Sequence, residues 1–502
     1  MRRISFLIVI LLHRLCCSAP LLANDTSDEI KFTPKLQRAY FEIQKLRIQP
    51  ARKLIEEERQ LDPDNAFIHY LDNYADLHYL LISEDKTAYK KLLAKEDERL
   101  AALGRLPDSS PFKLFLQAEI RLHWAFAKIK FGNEISASWN VIKAYKMLDQ
   151  NHRKFPDFLP NLKSLGILHI MIGSVPDNYA WVTKVLGLKG DVNLGVRELQ
   201  TVIQKVPLFQ QEAQLIDLLA HAYILQLSDT QRLKIKQLPK DQPDNLLLHF
   251  FATTILMKEG HSSEASYCLS HAPAGIGYIP FPFLDYLRGE LSLQQGQYNS
   301  AISYYNAFLQ RYKGFNFIKD SNLKLFMCQW LGNKDAQAAV FIERARTSGV
   351  AIVESDKFAQ RIADEFAAKR LLPEQKSLFK ARYATDGGYL EEALAIVNTM
   401  TEGQFKTQEN KAEFNYRKAR ILQKSVQTDQ AIPFYERAIM LSQSASPEVG
   451  ASSALQLGYI FKDKKQHERA VFYFKKAISY KKHEYKNSID NKARAALSEL
   501  GN

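Results

Sequence analysis

The sequence predicts an all-α protein, an α-solenoid of stacked helical hairpins that is regular in its C-terminal half and divergent in its N-terminal half. Three observations carry this. Glycine and proline are scarce, 21 and 18 among 502 residues. Sandwiches and barrels need many tight turns, so the scarcity favours long helices with short connections. Small residues recur at fixed offsets from Gly260 onward, and prolines recur at a fixed offset in the first half. Hydrophobic residues at 46% and charged residues at 25% are the proportions of a globular chain.

The first element reads as a targeting segment, residues 1–23. Met1-Arg2-Arg3 gives a basic start, Ile4 to Leu12 an apolar run, and Ala23 a small residue for cleavage. The run is too short to span a bilayer as a helix, and no later stretch is apolar for long enough. Pro20 argues against a cut after Ala19. Lipidation would use Cys16 or Cys17, but His13, Arg14 and Leu15 stand where small residues belong, so it is the less favoured reading. The expectation is an exported protein, periplasmic or secreted. Peripheral association with the envelope fits the formal net charge of +13. Of the remaining cysteines, Cys268 and Cys328 read as buried small hydrophobes. A single bridge between them is an option in an oxidising compartment.

Residues 24–245 form the divergent half. Ala51, Ile55 and Pro63 share their spacing with Ala144, Leu148 and Pro156, and with Gly195, Leu199 and Pro207. The proline ends the second helix of each hairpin, because it cannot continue a helix interior.

Residues 246–502 form the regular array. Gly289 stands twelve residues before Ala301, Ala419 twelve before Ala431, and Gly458 twelve before Ala470. Two antiparallel helices approach closely only where small residues sit at the crossing. A large residue follows four places later, Tyr435 or Phe474, and a small one three further on, Ala438 or Ala477. These offsets lie on one helical face. Weaker copies begin at Ala265, Ala338 and Ala393. The wide gap between Ala338 and Ala393 leaves room for an extra helix near Ser355 to Arg370.

The segments Gly289–Leu309, Ala419–Leu441 and Gly458–Tyr480 resemble tetratricopeptide (TPR) repeats, whose period is about 34 residues. The last copy carries Lys465 where the turn usually has glycine. The middle of the chain is similar to the TPR family that includes the fungal inclusion-body clearance proteins. Ile167-Leu168-His169 through Val175-Pro176, Trp181, Lys184 to Asp191 and Gly195 to Leu199 carry that likeness. Those relatives are intracellular, whereas this chain is expected to be exported.

The motifs of reaction centres are missing. There is no glycine-rich phosphate loop ending in Lys-Ser or Lys-Thr, no His-Glu-x-x-His helix, no Cys-x-x-Cys pair and no Gly-x-Ser-x-Gly elbow. His261 and His271 flank one helix without further ligands in view. Glu56-Glu57-Glu58 and Glu391-Glu392 read as solvated helix faces. No enzyme activity, cofactor or metal is expected. The apolar, proline-rich and glycine-rich stretch Ala272 to Phe283 reads as a long connection tucked against the array, with a functional lid as the other option.

A curved array lines its concave surface with the first helix of each hairpin. The register one place after the crossing residue, and one turn on, selects Arg382, Tyr416, Arg420, Lys424, Tyr459 and Lys462, with Leu455 beside them. Arginine offers forked donors to carboxylate or phosphate, and tyrosine offers flat contact area. The expected function is a non-catalytic scaffold that binds a protein or peptide, with acidic groups favoured, in this groove. A routine solvated helix face explains the same charges. Nucleic acid is not expected: the aromatics among the lysines of 462–486 fall at or beside repeat anchors, and stacking would need them exposed. The alternative is an enzyme or carbohydrate-handling protein with a pocket among Trp124, Trp139 and Trp181. Converging acids in a deep pocket there would favour it.

Overall fold

The computed structural model describes residues 31–174, 185–442, 446–481, 483 and 485–501. The targeting segment and Trp181 lie outside them. Among the described residues every regular element is helical. None of these helices is long and apolar enough to cross a membrane.

The first half begins with α1 (Pro34–Gln44), α2 (Ile48–Arg59) and α3 (Ala66–Ser83), continues through the short α4 (Lys86–Leu93) and α5 (Lys95–Gly104), and reaches the long pair α6 (Pro111–Lys130) and α7 (Glu134–Lys154). Next come α8 (Asn161–Gly173), α9 (Val192–Lys205), α10 (Gln210–Tyr223) and α11 (Asp229–Asp241). Starts are set by local chemistry. Asn65, Asp85, Ser110 and Asp191 each accept a hydrogen bond from the first turn of the helix they precede. Stops match the prolines: α7 ends two residues before Pro156 and α9 two before Pro207.

The second half is built of hairpins. These are α12 (Leu246–Glu259) with α13 (Ser262–Ser270), α14 (Phe283–Gln294) with α15 (Tyr298–Arg311), and α16 (Ile318–Leu331) with α17 (Asp335–Thr347). A single helix α18 (Glu354–Ala367) follows, at the position the spacing reserved for it. Then come α19 (Gln375–Gly387) with α20 (Leu390–Asn398), α21 (Gln408–Lys424) with α22 (Thr428–Leu441), α23 (Pro447–Asp463) with α24 (His467–Ser479), and a closing helix α25 (Lys486–Glu499). Each pair packs together and onto its neighbours, the arrangement of an α-solenoid.

The anchor alanines explain the pairing. Ala265, Ala301, Ala338, Ala393, Ala431 and Ala470 each occupy the fourth position of the second helix of a hairpin, and each is buried. The large residue four places on packs onto the crossing residue of its own hairpin. A Cβ on Gly458 would stand 2.5 Å from the Phe474 ring, and one on Gly289 would stand 2.7 Å from Tyr305. So glycine at the crossing and an aromatic on the partner helix are one feature read twice.

The array bends back on itself. The connection 272–283 is pinned at two places: Ile279 N–H donates to the Leu46 carbonyl in the turn of the first hairpin at 3.0 Å, and the Tyr278 hydroxyl donates to the Asp244 carbonyl in the turn before α12 at 2.7 Å. It is a tucked connection, as expected, with Ile276 at its exposed tip. Glu84, at the end of α3, accepts from the Asn316 N–H at 3.1 Å and pairs with Lys130 at 2.5 Å. Helix α19 touches α12 and α14, well outside its sequence neighbours.

Polar groups are buried in pairs in the first half. Lys163 on α8 is 1% exposed and lies 2.6 Å from Glu119 on α6 and 3.0 Å from Glu212 on α10. The Tyr40 hydroxyl of α1 donates to Glu212, and the Ser164 hydroxyl donates to Glu119. One charge cluster therefore ties four helices into a single register, since breaking any pair would leave a buried charge uncompensated.

Candidate functional site

The first helices of the last hairpins, α19, α21 and α23, stand side by side, with α18 and Tyr485 as walls. Between them lies a cleft of about 440 Å³. Local sequence fixes its helices: Thr407 caps α21 through the Asn410 N–H, and Pro447 occupies the first turn of α23, where its missing N–H costs nothing.

Arg382 and Tyr416, two of the six residues selected by register, line this cleft. Three arginines of its wall are held by carboxylates. Arg417 Nε lies 2.6 Å from Glu413, Arg361 Nη1 2.9 Å from Glu365, and Arg382 Nε 3.6 Å from Asp386. Each pair spans one helical turn. Arg361 and Arg382 also flank the Phe358 ring, 4.9 and 5.2 Å from its centroid. Burial acts to discharge Arg382, but Asp386, Tyr485, Tyr383 and Glu413 together outweigh it and the guanidinium pKa is raised. Glu409 and Glu448 add two further carboxylates, so five acids line the cleft against three arginines.

The other four residues stand at the opposite ends of the same helices, where the groove is closed. Arg420 Nη1 donates to Gln456 at 2.9 Å and to Gln423 at 3.3 Å. Lys424 Nζ donates to the Thr385 carbonyl at 3.2 Å and lies against the Gly260 turn between α12 and α13. Tyr459 meets Gln226 from the first half, and Lys462 pairs with Glu499 on α25. Leu455 is buried in the core of these hairpins. The structure thus divides the six: two line an open cleft and four face the chain's own closing contacts.

Sequence reasoning missed Phe358, Arg361 and Glu365, although their spacing of three and four puts them on one face of α18, away from buried Ala359, Ile362 and Ala363. It also missed Glu413 and Arg417, an acid–base pair one turn apart.

Elsewhere, Trp124 is buried, and the small space beside it is lined by Asn73, Leu77, Leu80, His123 and Ala127, with no carboxylate. Trp139 is exposed on α7. The nearby acids are engaged: Asp76 with Arg52 and Arg99, and Glu96 with Lys128. Cys268 and Cys328 are free and buried. His261 Nδ1 lies 3.6 Å from Glu264, and His271 Nδ1 lies 2.8 Å from the Tyr267 carbonyl.

The tetratricopeptide repeat family model matches residues 412–444 and 451–484, the two hairpins whose first helices form one side of the cleft. No curated protein matches the chain. With the anchors at Ala431 and Ala470 in the matched segments and the same crossing geometry repeated before them, the described chain is an all-α helical-repeat solenoid whose residues 412–484 carry tetratricopeptide repeats.

Proposed function

We propose that this protein is a non-catalytic interaction scaffold, exported to the cell envelope, that holds an extended segment of a partner protein in the concave face of its last repeats. Repeats of this type serve protein–protein interaction in general. The cleft lined by Arg382, Tyr416 and Arg417 carries the finer reading. Its arginines are held in place by neighbouring carboxylates, so little side-chain freedom is lost when they donate to a bound chain. Each guanidinium has five N–H donors, more than one carboxylate partner can use. Arg420 and Lys424, at the closed end, supply the positive charge that favours an acidic group on the partner. The basic start and apolar run of residues 1–23 support export.

Affinity capture from envelope extract with the full chain tests this. A partner retained by the wild type and lost with Arg382→Glu and Tyr416→Ala is expected. A synthetic segment of that partner is then titrated by calorimetry. Equal binding of the segment by wild type and by Arg420→Glu/Lys424→Glu would remove the acidic-partner reading. Equal binding by the Arg382→Glu/Tyr416→Ala variant would remove the cleft.

A further inference from the structure

The cleft between α18, α19, α21 and α23 carries more acid than its own arginines use. Five carboxylates line it against three guanidiniums, and each guanidinium already stands 2.6 to 3.6 Å from one of them. Helix ends enter the same balance. Gln375 opens α19, Glu409 and Asn410 lie in the first turn of α21, and Glu448 lies in that of α23. Glu365 lies near the end of α18. Each of the three starts brings about half a positive charge, and the end of α18 about half a negative one. The described lining therefore keeps about one negative charge.

Two side chains of this lining are buried and unpartnered. Asn410 is 6% exposed; its backbone N–H donates to Thr407, but its side-chain amide has no hydrogen-bond partner among the described residues. Ser446 is 3% exposed and stands at the N-cap of α23, yet its hydroxyl caps nothing there and has no other partner among the described residues. Folded proteins satisfy their buried polar groups with few exceptions. Two such groups facing one cleft mark a place where a bound molecule supplies the partner.

We propose that this cleft holds a subsite for one basic side chain, a lysine or arginine of the bound segment. The inference rests on the partner-groove reading and names what the groove selects. The Asn410 amide oxygen and the Ser446 hydroxyl oxygen accept hydrogen bonds from the ammonium or guanidinium, and Glu409, next to Asn410, supplies the opposing charge. Phe379 and Val449 line the same cleft and offer apolar surface to the stem of the side chain. An acidic side chain would add to the negative excess instead of cancelling it. The acidic group that Arg420 and Lys424 favour lies at the other end of the same helices. The segment thus carries both signs, and the two ends fix its direction.

The test pans a phage library of short random peptides against the full chain and, in parallel, against Phe379→Ala/Tyr416→Ala, which reshapes the cleft without changing its charge. Peptides held by the wild type and lost by that variant are expected to share a lysine or arginine at one position. A synthetic copy with norleucine at that position keeps an apolar stem without the charge. By calorimetry it is expected to bind the wild type about tenfold more weakly. Glu409→Gln and Asn410→Ala are expected to weaken the basic peptide and to leave the norleucine copy unchanged. Glu391→Gln on α20, outside the cleft, controls for the loss of an acid and leaves binding unchanged. The norleucine comparison uses the unaltered protein, so it stands whether or not a variant folds. Cleft-dependent peptides that share no basic residue, or a norleucine copy that binds as well as its parent, would overturn the subsite and leave the groove standing. A library that yields no cleft-dependent peptide would remove the groove reading and the subsite with it.

Discussion

Val426 sits in the turn between α21 and α22 at φ 62°, and it is 88% exposed. A β-branched residue in the left-handed region crowds its own backbone, and with no packing around it nothing offsets that strain. Val426→Gly is therefore expected to stabilise the protein by about 1 kcal/mol, read as a higher urea midpoint at unchanged m-value. A lower midpoint would mean that the side chain contributes contacts outweighing the strain. Asp320, near the start of α16, presents a different balance. The Tyr286 hydroxyl donates to it at 2.5 Å, and burial pushes its carboxyl up from 3.8 to about 7, against the pull of Lys324. The folded protein then keeps a proton that the unfolded chain releases near pH 4. This group stabilises the fold fully at acid pH, and its contribution fades as pH rises from about 4 through 7. Asp320→Asn removes the titration, so Tm plotted against pH should be flatter over that window than in the wild type. An unchanged slope would place the proton elsewhere.

At the scale of the helical hairpin, the crossing residue and the aromatic that covers it act as a pair. Gly458→Val puts a branched side chain into the Phe474 ring and is expected to cost about 1–3 kcal/mol by overpacking. Phe474→Leu in the same chain should return part of that loss, seen as a non-additive double-mutant cycle in urea unfolding. Simple addition of the two losses would show that the residues pack independently. The same physics made the hairpins legible in the sequence. Close crossing demands small residues at Gly458 and Ala470, and helical geometry fixes their separation. The gap between Ala338 and Ala393 likewise revealed α18, because a stacked array leaves no space unfilled. The cleft was legible only where it follows that register, at Arg382 and Tyr416. Arg361 belongs to a helix outside the hairpin rhythm, and Tyr485 follows the last hairpin, so neither had a register from which to be read. The turn at Lys465 adopts φ 58°, so the backbone there takes the glycine conformation even though the sequence lacks glycine.

At the scale of the whole molecule, contacts between distant segments set this protein apart from an open solenoid. Such contacts leave no periodic trace: nothing in the spacing around Gln226 announces that it will meet Tyr459. In an open array each repeat interacts with its neighbours alone, and a local defect stays local. Here Ile224, Leu225 and Gln226, just after α10, share a pocket with Tyr459 on α23 and with Lys492, Ala495 and Ala496 on α25. Ala496 is buried in that contact, so Ala496→Lys forces a charge into it. Loss of amide protection in α23 and α25 follows from any defect there. The closed array requires more: protection must also fall in α10, some 270 residues away in sequence, while α17, at a distance from the seam, keeps its own. Hydrogen exchange resolved by segment measures this directly. Loss confined to α23–α25 would mean that the ends of the array touch without stabilising each other. Loss reaching α10 would mean that closure couples the first half to the repeats that line the cleft, so that whatever strengthens the seam also steadies the groove.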